Sequence, residues 1–189
     1  MITVYIKKIE NITENEKQNI IGSLSKPALE RLNKKRNEEL FCSSLCALAL
    51  LRDEQQSDLD YTENGRPFFT TLNADISISH SKTHAAVAIS NSRSINVGID
   101  VEDAESIKIS PRFLTENEKK DAINEQKFIE IWTKKEALFK FLKNDSTTFI
   151  KLDSTTPEKY GAHFATVKID NSIITICASE NEKIEILQK

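Results

Sequence analysis

The two halves of this chain run through the same succession of patterns, and that succession limits the folds open to it. Each half opens on a strand-like run, passes through helical stretches and closes on a pair of short strands. In the first half MITVYIKKI alternates apolar and polar residues as a strand does. From Pro27 to about Arg52, Leu29, Leu32, Leu40, Phe41, Leu45 and Leu48 recur at helical spacing, with Pro27 suited to a first turn. A polar segment from Asp53 to Pro67 carries the turn signal Asn64-Gly65. DISISHSKTHAAVAISNS then supplies two short strands about a polar loop at 80–84. In the second half NVGIDVE reads as a strand, and PRFLTENEKKDAINEQKFIEIWTKKEALFKFL as two helices, the second from about Gln126. AHFATVKIDNSIITICAS is a hairpin closed at Asp170-Asn171. The match is one of pattern, not of residues. It predicts an α+β fold of two similar lobes, residues 1–95 and 96–189, with a ligand cleft between them.

Composition narrows the function. With 39 % hydrophobic and 29 % charged residues this is an ordinary soluble globular chain. A formal charge of −3 gives no broad basic surface, so no nucleic-acid partner is expected. No apolar run approaches the roughly 18 residues of a membrane span, and the first residues lack a signal-peptide pattern. The expectation is a cytoplasmic protein without a membrane partner. Cys42, Cys46 and Cys177, odd in number and with two at i,i+4, read as buried free thiols and not as disulfides or a zinc site. The four glycines, Gly22, Gly65, Gly98 and Gly161, are too scattered for a phosphate loop or a dinucleotide fingerprint. Any phosphate must be held by side chains and metal.

Asp100 and Glu102 lie two apart in a strand-like run, so both carboxylates share one face, opposite Ile99 and Val101. Converging carboxylates are commonly held by a divalent cation, and oxygen ligands with a phosphate favour Mg²⁺; the alternative is a solvated strand end. Trp132, Glu136 and Lys140 line one helix face at i, i+4 and i+8. That face is either a ligand wall, with Lys135 reaching another part of the ligand, or a surface ion pair beside a core tryptophan. Ser79 and His80 end a strand at a loop, where His80 could donate to phosphate and His84 reads as structural. Asn64-Gly65-Arg66-Pro67 is a turn presenting one guanidinium, a group suited to phosphate. Lys26, Arg31, Lys34, Lys35 and Arg36 face the single acid Glu30 and make a local positive field, or an ordinary solvated helix face.

Taken in order, Gly65-Arg66-Pro67, Ile78-Ser79-His80-Ser81, Gly98-Ile99-Asp100-Val101-Glu102 and Trp132-x-x-Lys135-Glu136-Ala137-x-x-x-Lys140 resemble the motif set of the 4′-phosphopantetheinyl transferases. The resemblance spans roughly residues 25–180 and is to the longer, pseudo-dimeric, surfactin-synthetase-activating type, whose lobes are related by a pseudo-twofold. It implies a monomeric enzyme that moves phosphopantetheine from coenzyme A to a serine of an apo acyl or peptidyl carrier protein, releasing adenosine 3′,5′-bisphosphate. By position it makes Asp100, Glu102 and Glu136 the Mg²⁺ ligands, and Glu136 the general base. Lys135 and Lys140 become phosphate contacts, with Lys140 also catalytic. Ser79 and His80 become contacts near the adenosine bisphosphate, and Arg66 the polar residue of the Gly-x-Pro turn. Arg31 and Arg36 are the matches for the 3′-phosphate. One departure stands out: after Lys140 the chain reads Phe141-Leu142-Lys143-Asn144-Asp145-Ser146-Thr147-Thr148, with no glycine.

Overall fold

A computed structural model describes residues 1–10, 12–104, 110–143, 149–179 and 182–189. The glycine-free segment after Lys143 therefore lies, at 144–148, outside the described residues. The chain forms β1 (Ile2–Lys8), α1 (Glu14–Ser23), α2 (Lys26–Asn33), α3 (Glu38–Leu48) and α4 (Asp53–Ser57), then β2 (Leu59–Tyr61), β3 (Pro67–Phe69), β4 (Ile76–His80) and β5 (His84–Ser90). β6 (Val97–Asp103), α5 (Glu116–Asp121), α6 (Glu125–Leu142), β7 (Ala162–Ile169), β8 (Ser172–Ser179) and β9 (Ile184–Gln188) follow. The fold is α+β, with six α-helices and three sheets among the described residues.

Two sheets, ordered β4-β5-β1-β9 and β6-β8-β7, lie face to face. Ile2, Val4 and Ile6 of β1 meet Ile99 and Val101 of β6 and Ile174 and Ile176 of β8 in one buried cluster. The other face of the first sheet, through Ala85, Val87 and Ile89, is covered by Leu32, Leu45 and Leu48 of α2 and α3. Ala137, Leu138 and Phe141 of α6 cover the second sheet over Cys177. The layers thus run helix, sheet, sheet, helix. Their central strands, HAAVAIS and SIITICAS, have both faces covered, which explains their near-continuous apolar runs.

The fold differs from the sequence expectation at three places. The helical stretch from Pro27 to Arg52 is broken at residues 34–37, where Asn37 caps α3 by accepting from Leu40 N. Helix α1 has no buried residue and so no apolar stripe; its only local mark is the Thr13–Glu16 capping box. Strand β9, from the end of the chain, lies parallel to β1 in the sheet built by the first half, with Ile2 opposite Ile184. Among the described residues no helix is long and apolar enough to cross a membrane.

Candidate active site

The site lies where the edge of one sheet meets the edge of the other. β4 runs beside β6, and no ladder joins them because they belong to different sheets. Alternate side chains of 75–81 serve β6 in its place. Asp75 Oδ2 accepts from Val97 N at 3.0 Å, and Ser77 Oγ from Ile99 N at 3.0 Å. Ser79 Oγ donates to Asp100 Oδ1 at 2.9 Å, and Ser81 Oγ to Asp103 Oδ1 at 2.8 Å. The two-residue strand period puts all four on one face, so the polar positions of DISISHS form a seam between the sheets.

Helix α6 closes over this seam because β6 carries a glycine at its crossing point. A Cβ on Gly98 would fall 2.0 Å from the Ala137 carbonyl oxygen and 2.6 Å from the Phe141 nitrogen. The bare backbone lets α6 lie directly on β6, and Glu136 and Lys140 come over Asp100. Lys140 Nζ donates to Asp100 Oδ1 at 2.7 Å, to Ser79 Oγ at 3.1 Å and to the Ile99 carbonyl at 2.9 Å. Burial, with the Asp100 charge next, pushes the Glu102 carboxyl up to about 8, against a hydrogen bond from Trp132. Glu136 is raised by the same two causes, and Lys140 opposes them. Asp100, Glu102, Glu136 and Lys140 therefore form one electrostatically coupled group.

Beside the acids runs a cationic groove in two parts. The smaller, about 240 Å³, is lined by Arg31, Lys35, Ser44, Tyr61, Ser79 and His80 among others. Burial, then the charges of Lys35 and Lys140, lowers His80 to about 4, and its Nε2 lies 3.1 Å from Ser44 Oγ. Lys35 is itself lowered by burial and by Arg31. Arg31 lies over the Tyr61 ring, 4.8 Å from its centroid, and against Gly65, whose φ of +81° and missing Cβ leave room for the guanidinium. The larger part, about 550 Å³, is lined by Arg31, Arg66, Ser77, Phe139, Lys140 and Lys143 among others.

Not every expected residue comes to this groove. Arg36 is exposed and lines neither part. Lys135, expected on the ligand, is fully enclosed, pairs with Glu118 at 2.7 Å and donates to the Leu152 carbonyl. Arg66 lines the larger part, but its guanidinium is spread over Asp75, the Val97 carbonyl and the Lys140 carbonyl, tying the Gly65-Arg66-Pro67 turn to β6 and the end of α6. Lys143 reaches the same Asp75 at 3.0 Å. Asp75, Ser77, Tyr61 and Lys143 were not anticipated as site residues. The strand period could have flagged the first two; the others become neighbours only through the fold.

The donor set fits a divalent cation. Among the described residues the buried Asp100 Oδ2 has no hydrogen-bond partner, and two neighbouring carboxyls are driven toward protonation by burial first and by the Asp100 charge second. A cation relieves both. Among the described residues no three His, Cys, Asp or Glu groups are already closed around a metal-sized point, and the Lys140 ammonium supplies the counter-charge on Asp100.

No curated protein matches this chain. Residues 96–183, from just before β6 to just before β9, match the model of the ACPS family, the 4′-phosphopantetheinyl transferase superfamily, and Asp100, Glu102, Glu136 and Lys140 all lie within the matched segment.

Proposed function

We propose that this chain is a Mg²⁺-dependent 4′-phosphopantetheinyl transferase of the longer, pseudo-dimeric type, with two lobes, 1–95 and 96–189, related by a pseudo-twofold. It acts as a cytoplasmic monomer, carrying phosphopantetheine from coenzyme A to a serine of an apo acyl or peptidyl carrier protein and releasing adenosine 3′,5′-bisphosphate. The superfamily matched by residues 96–183 performs this class of transfer. The observation that carries the reading is the convergence of Asp100, Glu102, Glu136 and Lys140 at the head of a cationic groove.

Asp100, Glu102 and Glu136 hold Mg²⁺, which when bound neutralises pyrophosphate charge. Lys140 places a second positive charge beside the breaking bond, where negative charge develops. Arg31 and His80 flank the adenosine bisphosphate end, with Lys35 at the same wall. The carrier serine oxygen forms the new bond to the phosphorus bearing pantetheine as the bond to the adenosine bisphosphate oxygen breaks, and that oxygen leaves with the electron pair. The serine proton passes to the Glu136 carboxylate, which serves as the general base once the carrier serine is positioned beside it.

Incubation with Mg²⁺, coenzyme A and a panel of apo carriers tests this by intact mass. Each accepted carrier gains one phosphopantetheine, and chelation of the metal stops the gain. Folded protein that modifies no acyl or peptidyl carrier overturns the reading.

A further inference from the structure

The two oxygens of Asp100 are not equivalent. Oδ1 receives both Ser79 Oγ, at 2.9 Å, and Lys140 Nζ, at 2.7 Å. Oδ2 is buried and receives no donor among the described residues. A buried carboxylate oxygen without a donor is costly unless something absent from the protein fills the place. Ser79 is itself nearly enclosed at 9 % exposure, and its one proton is committed to Asp100 while one of its two lone pairs takes Lys140 at 3.1 Å. Ser79, Asp100 and Lys140 thus form a closed three-membered ring. The hydroxyl has no proton left for a ligand.

We infer that Ser79 is a positioning residue for the metal ligand Asp100 and not a substrate contact. By saturating Oδ1 it fixes the rotation of the carboxylate so that Oδ2 is held open toward the divalent cation. The inference rests on the metal reading proposed above. It assigns a different role to Ser79 than the motif resemblance does. Removing the hydroxyl leaves Lys140 as the only donor to Asp100 among the described residues, and the carboxylate can turn to offer that ammonium either oxygen. Groups that orient a metal ligand in this way typically contribute tenfold or more to metal affinity.

The test reads binding directly, by titrating Mn²⁺ into wild-type, Ser79→Ala and Ser79→Thr proteins and following free Mn²⁺ by electron paramagnetic resonance. Ser79→Ala is expected to weaken Mn²⁺ binding about tenfold, and Ser79→Thr, which restores a hydroxyl, to recover most of it. At saturating metal the KM for coenzyme A stays unchanged in both. Circular dichroism checks the fold; if Ser79→Ala fails it, Ser79→Cys, with only a weak donor, carries the same tenfold criterion. Equal Mn²⁺ affinity in the alanine variant overturns the inference, as does weaker binding of coenzyme A without metal at unchanged Mn²⁺ affinity. Wild-type protein that binds no Mn²⁺ overturns the inference and the metal assignment together. Carrier modification is scored separately, so a failed transferase reading with intact metal binding is recognisable as such.

Discussion

A carboxyl group that holds its proton to about pH 8 makes this site a source of pH dependence in two measurable ways. Glu102 is raised by burial first and by the Asp100 charge second. A group whose folded pKa exceeds its unfolded value adds stability below the unfolded value and loses it as pH rises toward the folded one. The metal-free protein should therefore lose stability between roughly pH 4.5 and 8 through this group. Glu102→Gln should raise the Tm of metal-free protein at pH 8 and remove the further rise that Mg²⁺ gives the wild type. A metal that binds the ionised form displaces this proton, so Mn²⁺ affinity should climb up to about tenfold per pH unit below 8 and flatten above. An affinity independent of pH from 6 to 8 would count against Glu102 as a ligand. His80 runs the other way: its folded value near 4 lies below the unfolded 6.5, so its contribution is lost as pH falls through that window. His80→Asn should flatten the acid limb of the stability profile and leave the alkaline limb in place.

The same scale shows what a reader of the sequence could see. Asp100 and Glu102 on one strand face, and Glu136 and Lys140 on one helix face, follow from the two periodicities alone, and both pairs meet in the fold. Lys135 sits one position from Glu136 and was expected to share its ligand. A helix turns about 100° per residue, and the neighbouring direction is occupied by Glu118, a fully buried carboxylate that needs a counter-charge. Nothing in TENEKKD shows that Glu118 is buried, because its capping-box role with Thr115 is normally a surface one.

At the level of elements, the site depends on how closely α6 lies on β6 and α5 on α6. Gly98→Ala places a methyl against backbone atoms of α6, which cannot give way as a side chain can. Over-packing of this kind costs about 3 kcal/mol, and the urea midpoint should fall with little change in m. Transfer should fall more steeply than stability, since Lys140 is carried off Asp100 with the helix. The Lys135–Glu118 pair holds α5 and the 152–154 segment to α6, with Ser154 also donating to Glu118. Lys135→Ala leaves a buried carboxylate unpaired and should cost roughly 3–5 kcal/mol, whereas Lys135→Met with Glu118→Leu should recover most of it. A small effect of the single substitution on denaturant unfolding would mean that Glu118 finds water or another partner. Elements with a local signature, such as β1, α6 and the β7–β8 hairpin at Asp170, were legible in the sequence. Helix α1 and strand β9 were not, since α1 buries no residue and β9 is defined by a parallel partner at the far end of the chain.

Over the whole molecule, the halves are distinct in chain order but share their core. The cluster between the sheets draws Ile2, Val4 and Ile6 from the first half and Ile99, Val101, Ile174 and Ile176 from the second, and Ile184 and Ile186 of β9 pack against it. Neither half retains its inner face if the other is removed, because a sheet face of this kind is stable only when covered. Asp75, Ser77, Ser79 and Ser81 add polar links across the same boundary, so unfolding one half leaves their partners on β6 without hydrogen bonds. The 189-residue chain should accordingly unfold in one cooperative transition. Trp132, the single tryptophan, reports on the second half, while far-ultraviolet circular dichroism reports on helices and sheets of both. The two midpoints in urea should coincide. A fragment of residues 96–183, which is the whole of the family match, should be unfolded in isolation and bind no Mn²⁺, although it carries all three acids. Removing residues 184–189 from the intact chain should lower the urea midpoint without separating the two transitions, since β9 covers only one edge of β1. A tryptophan transition clearly preceding the dichroism transition, or a folded 96–183 fragment, would show that the second half is an autonomous unit and that the seam along β4 is dispensable to it.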